Sequence, residues 1–157
     1  MRFVIVTGMS GAGKTTALKM LEDCGYFCVD NLPIQLVEKF TALMAENGET
    51  SHAAIGIDAR TGTALTELGQ LLDRMEEQGF LFEILFMDAC DAALVKRYKE
   101  TRRSHPLSGQ GRVDEGIRLE REKIGFLRER ADYIIDTSRL LTRELKQEME
   151  QIFVVNR

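Results

Sequence analysis

The sequence is poor in the features that mark disulfide-rich, metal-binding and membrane proteins. Its three cysteines cannot form an even set of disulfides, and Cys24 and Cys28 lack the C-x-x-C spacing of zinc and redox sites. No apolar run approaches the length of a membrane span, and the N-terminus has the pattern of a core strand rather than a signal peptide. These absences predict a cytoplasmic protein with reduced thiols and no membrane partner.

An excess of positive charge is also missing. The net charge is −4 at pH 7, which argues against a general nucleic-acid binder. A chain of 157 residues can bury one good core, and no internal repeat or low-complexity linker divides it. We therefore expect a single domain over residues 1–157. Because the chain stops on the apolar residues 153–155, we also expect it to be the N-terminal half of a longer protein.

Apolar, strand-like runs alternate with helical patterns along the whole chain. The runs are near-continuous in Val, Ile, Leu and Phe, which is typical of parallel strands covered on both faces. This alternation predicts an α/β fold with an open, mostly parallel five-stranded sheet and helices on both faces. The predicted strands are Arg2–Thr7, Tyr26–Val29, Ala53–Ile57, Leu81–Met87 and Tyr133–Ile135.

Residues 8–15, with the sequence GMSGAGKT, match the pattern G-x-x-x-x-G-K-[ST] at every fixed position. The glycines let successive backbone N–H groups point at phosphate oxygens, and Lys14 brings a positive charge to the outer phosphates. The Thr15 hydroxyl is placed to bind Mg²⁺, and the helix that follows presents its N-terminus to the anion. We call this segment the phosphate loop. It predicts a kinase-like P-loop NTPase in which a nucleotide contacts Gly8, Met9, Ser10, Gly11, Ala12, Gly13, Lys14 and Thr15.

Two aspartates follow predicted strands, at the sheet edge where open α/β sheets bind ligands. Asp58 comes after the third strand, where P-loop proteins hold Mg²⁺; it would otherwise cap the next turn. Asp30 ends the second strand, and its carboxylate is either a base or a second Mg²⁺ contact, or part of a turn before Pro33. Asp88 ends the fourth strand, where it would contact the base or ribose or cap the helix from Asp91.

One segment, residues 96–106, concentrates positive charge. In P-loop kinases, arginines of a lid stabilise the charge that builds up on the transferring phosphoryl group. Arg97, Arg102 and Arg103 lie at the corresponding place in the order of elements, although a solvated helix face would have the same composition. Residues 114–130 mix charges of both signs, and we expect most of them to form an exposed helix face. Arg118 and Arg121 belong to this stretch, and phosphate binding is the alternative role for them.

Several of these segments together resemble the RapZ/YvcJ family of bacterial nucleotide-binding proteins. The resemblance rests on G-M-S-G-A-G-K-T-T-A-L, F-C-V-D-N-L-P, D-A-R, K-R-Y-K-E-T-R-R-S-H-P-L and A-D-Y-I-I-D-T-S, which extend from the first strand to Ser138. It implies binding and hydrolysis of ATP and GTP, with the ATP contacted by residues 8–15. It also implies a second, guanine-nucleotide-associated segment formed by Asp58, Ala59, Arg60 and Thr61.

Members of this family are longer, and in some the C-terminal half binds RNA and adapts an RNase to small regulatory RNAs. RNA and RNase would therefore be partners only through that half. The function expected here is a regulatory domain that binds and slowly hydrolyses ATP or GTP with Mg²⁺. The alternative is a small-molecule kinase, and a third hypothesis is RNA binding by residues 96–103.

The residues expected to act in catalysis are Lys14, Asp30, Asp58, Arg102 and Arg103, and those expected to bind metal are Thr15 and Asp58. No N-K-x-D motif selects guanine, so the preference between ATP and GTP stays open. The oligomeric state is open as well, a homo-oligomer included.

Overall fold

The computed structural model describes residues 2–46, 52–57, 62–101 and 113–155. Five strands form one sheet in the order β2-β3-β1-β4-β5, and each neighbouring pair is parallel. The predicted fold class is therefore confirmed. The strands are β1 (Arg2–Gly8), β2 (Phe27–Val29), β3 (His52–Gly56), β4 (Glu83–Asp88) and β5 (Tyr133–Asp136).

The helices connect these strands and cover both faces of the sheet. The crossover from β1 to β2 runs in one direction along the sheet, whereas the later crossovers run in the other, so right-handed connections place α1 on one face and α2, α3, α4 and α5 on the other. Helix α6 follows the last strand and packs against α1. No helix among the described residues is long and apolar enough to cross a membrane. The helices are α1 (Lys14–Asp23), α2 (Ile34–Glu46), α3 (Gly62–Glu77), α4 (Asp91–Thr101), α5 (Val113–Arg130) and α6 (Thr142–Glu150).

The core lies around β1, the central strand. Phe3, Val4, Ile5 and Val6 are each at most 1% exposed, because helices cover both faces of this strand. The prediction that a strand begins at Leu81 was wrong: β4 begins at Glu83, and Leu81 is 82% exposed. The residues around Leu81 are apolar, but they precede β4 along the chain and are not part of the sheet.

The last described turn, Gln151–Val155, is π-helical and packs against the amino ends of the strands. The guanidinium of Arg2 pairs with Glu83 at 2.7 Å, donates to the carbonyl oxygen of Ile152 at 3.0 Å and lies over the ring of Phe153. The hydroxyl of Tyr26 donates to the carbonyl oxygen of Phe153 at 2.9 Å. The apolar residues 153–155 are thus anchored at the amino ends of the strands, whereas the phosphate loop lies at their carboxyl ends.

Candidate functional site

The phosphate loop begins where β1 passes very close to β4. A Cβ atom at Gly8 would lie 2.1 Å from the carbonyl oxygen of Met87, and Gly8 has a φ of +141°, so only glycine fits there. The N–H of Met9 donates to the same Met87 oxygen at 3.0 Å. The backbone therefore leaves the sheet in a sharp turn directly at the carboxyl end of the central strand.

Helix α1 begins immediately after the loop. Its N-cap residue, Gly13, has a φ of 105° and offers no side chain to the first N–H groups of the helix. Such groups have no partner within a helix, and together with the helix dipole they attract anions. The geometry therefore agrees with the anion site that the sequence predicts at this helix N-terminus.

Two anchors hold the phosphate loop in place, and the first is Glu120 of α5. One oxygen of its carboxylate accepts a hydrogen bond from the backbone N–H of Ser10 at 3.0 Å, and the other accepts one from the Ser10 hydroxyl at 2.7 Å. Glu120 is 2% exposed and Ser10 is 7% exposed. Sequence reasoning missed this residue, because it stands in a mixed-charge stretch where most side chains face solvent.

The second anchor is formed by Arg97 and Thr137. The hydroxyl of Thr137 donates to the carbonyl oxygen of Ala12 at 2.9 Å, and the guanidinium of Arg97 donates to the carbonyl oxygen of Gly11 at 3.0 Å. The same guanidinium donates to the carbonyl oxygen of Thr137 at 2.6 Å. Arg97 therefore contacts the backbone of the phosphate loop directly, whereas its sequence context suggested a lid over the phosphoryl group.

A cavity of about 440 Å³ opens in front of the phosphate loop. It brings Lys14 and Thr15 together with Asp30, as the convergence of strand ends predicted. Residues from α1, from the end of β2 and from the end of β3 share its wall. Its lining consists of Ser10, Gly11, Gly13, Lys14, Thr15, Thr16, Asp30, Asn31, Gly56 and Ile57.

Asp30 lies on the β2 side of this cavity, in a local turn. Its Oδ1 accepts a hydrogen bond from the N–H of Asn31 at 2.8 Å, and Asn31 has a left-handed φ of 53°. The N–H of Leu32 then donates to the carbonyl oxygen of Gly56 at 3.1 Å, which ties the turn to the end of β3. A turn and a carboxylate at the cavity thus occur together, although the sequence presented them as alternatives.

A smaller cavity of about 220 Å³ adjoins the first one and shares Gly11, Gly13 and Thr16 with it. Leucines of α6 and the preceding loop form its apolar part, and Arg97 and Thr137 form its polar part. The sequence did not predict it, because its wall combines residues distant along the chain. The complete lining is Gly11, Ala12, Gly13, Thr16, Arg97, Thr137, Leu140, Leu141, Thr142 and Leu145.

Asp88 belongs to a separate ion-pair cluster. Its Oδ1 accepts hydrogen bonds from the N–H of Ala89 at 2.8 Å and from Arg121 at 3.0 Å, and its Oδ2 accepts one from Arg128 at 3.2 Å. These three bonds join Asp88 to the loop before α4 and to two arginines of α5. None of the three goes to a backbone N–H of α4, so they do not support the prediction that Asp88 caps that helix. Arg121 also pairs with Asp91. Burial lowers the pKa of the Arg121 guanidinium, but the hydrogen bonds and charges of Asp91 and Asp88 outweigh burial and raise it.

Six of the predicted site residues lie outside the described residues, and their roles stay predictions. They are Asp58, Ala59, Arg60, Thr61, Arg102 and Arg103. Within the described ranges, no group of three or more His, Cys, Asp or Glu side chains is arranged to hold a metal ion. Mg²⁺ beside a nucleotide needs no such cage, because one or two protein oxygens and the phosphates suffice. The Thr15 hydroxyl and the Asp30 carboxylate are oxygen donors of that kind.

A family model described as the RapZ-like N-terminal domain matches residues 1–157. The chain belongs to this RapZ-like family. A protein of Lachnoclostridium phytofermentans named "Nucleotide-binding protein" is 64% identical over 98% of this chain and 54% of its own length. One of the same name from Agathobacter rectalis is 59% identical over 99% of this chain and 54% of its own length. The RapZ-like chain thus spans about half the length of these curated relatives.

Solved structures agree with the kinase-like fold of the RapZ-like domain. Shikimate kinase from Acinetobacter baumannii, in complex with shikimate, superposes with a TM-score of 0.61 at 20% identity, covering 99% of this chain and 94% of that one. At this identity the likeness concerns the architecture alone. The RapZ-like domain therefore has the architecture of a P-loop kinase.

Proposed function

We propose that this domain binds ATP or GTP together with Mg²⁺ and hydrolyses it slowly, as a regulatory module. In the longer protein, the nucleotide state would control a C-terminal half that acts on RNA and an RNase. The observation that carries the proposal is the phosphate loop, whose uncapped helix N-terminus, Lys14 and Thr15 border one cavity. The name "Nucleotide-binding protein" of the relatives supports the same ligand class.

The two adjoining cavities suggest how a nucleotide would lie. Its phosphates would occupy the larger cavity, where the N–H groups of α1 and the Lys14 ammonium provide positive charge. Its base would occupy the smaller cavity, between leucines such as Leu141 and the guanidinium of Arg97. The cavities share Gly11, Gly13 and Thr16, so one molecule can extend across both.

The chemistry assigned to the side chains follows from their charges. Lys14 would neutralise charge on the outer phosphates, and Asp30 would accept a proton from the attacking water. Thr15 and Asp58 would hold Mg²⁺, which would neutralise negative charge on the phosphates. No arginine borders the larger cavity among the described residues, so stabilisation of the transition state would depend on Arg102 and Arg103.

The test is a calorimetric titration of ATP and GTP with and without Mg²⁺, together with a phosphate-release assay on the same sample. Lys14→Ala removes one charge-assisted contact, and we expect nucleotide affinity to fall about tenfold or more. Lys19→Ala is the matched control, because Lys19 is an exposed lysine of the same helix. Unchanged affinity in a folded Lys14→Ala protein would refute the assignment of the site.

Asp58 is tested by its metal dependence. Asp58→Asn should weaken the dependence on Mg²⁺ more than it weakens binding of the nucleotide, because the amide retains the shape of the side chain and loses its charge. Titrations with Mg²⁺ that coincide for both proteins would remove Asp58 from the metal site.

Phosphoryl transfer to a small molecule is the second candidate. It is favoured by one observation: Asp30 and Asn31 line the same cavity as Lys14, on the side where an acceptor hydroxyl could approach the phosphates. The shikimate kinase of similar architecture was solved in complex with shikimate, a small molecule. A panel of metabolites incubated with ATP distinguishes the two. A phosphorylated product supports the kinase, whereas phosphate release without any such product supports the regulatory NTPase.

A further inference from the structure

Glu120 is a buried carboxylate that the proposed function does not use. It is 2% exposed, whereas Glu115 and Glu122 of the same helix are exposed and pair with Arg118. Burial of a carboxylate is costly unless hydrogen bonds compensate for lost hydration. A glutamate at this position of α5 therefore needs a specific reason.

The hydrogen bonds to Ser10 provide that reason. One carboxylate accepts both the backbone N–H and the hydroxyl of a single residue, at 3.0 and 2.7 Å. Charge-assisted bonds of this kind are stronger than neutral ones, and two of them fix the orientation of Ser10. The N–H of Ser10 is thereby occupied, and the N–H of Ala12 donates to the carbonyl oxygen of Met9 at 3.1 Å, so neither of these two amides is left to face the phosphates.

We propose that Glu120 is a positioning residue for the nucleotide phosphates. Through Ser10 it holds the phosphate loop in its binding conformation before a nucleotide arrives, which lowers the entropic cost of binding. The proposal rests on the proposed function, because it requires the loop to bind phosphates. It goes further in assigning part of the affinity to a side chain on α5.

Glu120→Gln tests whether the hydrogen bonds to Ser10 position the loop by themselves, without the negative charge of the carboxylate. In Glu120→Gln, the amide oxygen accepts from the Ser10 N–H, and the amide N–H₂ donates to the Ser10 hydroxyl oxygen. Both links survive without the charge. Glu120→Ala removes both links, and Ser10→Ala removes only the one through the hydroxyl.

The first measurement is amide hydrogen exchange of the segment 8–15 in nucleotide-free protein. We expect Glu120→Ala to exchange about tenfold faster there, because two bonds to the loop are lost, with Glu120→Gln close to wild type. Glu122→Ala is the matched control and should exchange like wild type. Exchange in Glu120→Ala that equals wild type would overturn the proposal.

The second measurement is the titration of Mg²⁺–ATP. Glu120→Ala should raise Kd about tenfold, Ser10→Ala less, and Glu120→Gln no more than about threefold. If Glu120→Ala fails to fold, Ser10→Ala and Glu120→Gln still test the proposal, because it predicts weaker binding in the first variant and affinity close to wild type in the second. Loss of affinity in Glu120→Gln equal to that in Glu120→Ala would overturn positioning through hydrogen bonds.

The two proposals fail differently. Wild-type protein that binds neither ATP nor GTP would refute the proposed function, whatever the exchange of the loop shows. Weak binding in Lys14→Ala beside wild-type affinity and loop exchange in Glu120→Ala would refute the role of Glu120 alone.

Discussion

The Asp30 carboxylate occupies space that the missing side chain of Gly56 leaves free. A Cβ atom at Gly56 would lie 2.6 Å from Oδ1 of Asp30 and 2.7 Å from Cδ1 of Leu18. Leu18 is buried, so it has little room to move away. The glycine at the end of β3 therefore controls where the acidic side chain at the end of β2 can sit.

Gly56→Ala should displace Asp30 from the cavity. Overpacking of this kind costs about 1–3 kcal/mol of unfolding free energy, and phosphate release should fall more steeply than nucleotide affinity. Urea denaturation and the phosphate-release assay measure the two effects. Gly125→Ala is the control, because no atom lies within 4 Å of its added Cβ. Wild-type stability and turnover in Gly56→Ala would contradict this role of Gly56.

Gly8→Ala should damage the protein far more than a replacement at another left-handed glycine. The added Cβ would overlap the backbone of Met87, with 2.1 Å to its oxygen and 2.6 Å to its nitrogen. Gly25 also has a positive φ, of 94°, but no atom lies within 4 Å of its added Cβ. Gly25→Ala should therefore cost only the conformational strain, about 1–2 kcal/mol. Similar melting temperatures for the two variants would argue against the close approach of β1 and β4.

The parts of the fold that the sequence predicted well are those governed by local patterns. Residues 3–6 form a continuous apolar run because both faces of β1 are covered, and the phosphate loop needs glycines at fixed positions. The same rule failed at Leu81, where an apolar residue lies outside the ladder and is exposed. Composition alone cannot distinguish an apolar residue before a strand from one within it.

The parts that the sequence did not predict depend on contacts between distant segments. Glu120 and Ser10 are 110 positions apart, and Arg97 reaches the loop across 86 positions. A charged residue in a mixed-charge helix has the same local pattern whether it faces solvent or the core. Gly56 did carry a signal, since glycine inside an apolar strand indicates a close approach of another group.

The three cysteines should react with iodoacetamide at different rates. Cys90 is exposed, and hydrogen bonds from Ser138 and the backbone lower the pKa of its thiol. Burial raises the pKa of Cys24, and it raises that of Cys28 to about 11. Because the thiolate is the nucleophile, Cys90 should be alkylated first and Cys28 last near neutral pH.

Peptide mass spectrometry over time measures these rates, and Cys90→Ser should remove the fast phase. Guanidinium-denatured protein serves as the control, because all three thiols should then react alike. Faster labelling of Cys24 or Cys28 than of Cys90 in the native protein would contradict the order.

Glu83 should stabilise the fold only above acidic pH. Burial acts to raise the pKa of its carboxyl, but hydrogen bonds with Arg2 and Tyr133 and the charge of Arg2 outweigh burial and lower it. A carboxyl whose pKa is lower in the folded than in the unfolded protein stabilises the fold above the unfolded value, about 4.3. That contribution disappears as the pH falls through the lower, folded pKa.

Glu83→Gln should therefore reduce the free energy of unfolding at pH 7 and lose this effect in acid. The bond between Arg2 and Glu83 is charge-assisted and the Glu83 side chain is 26% exposed, so we expect a loss of about 1–3 kcal/mol. Urea denaturation of both proteins from pH 7 down to pH 3 measures the difference, which should narrow with falling pH. Glu38→Gln is the control, because Glu38 pairs with Arg74 at the surface, where such pairs contribute little. A difference in unfolding free energy that stays constant over this pH range would show that packing, rather than the charge of Glu83, stabilises the amino end of β1 at Arg2.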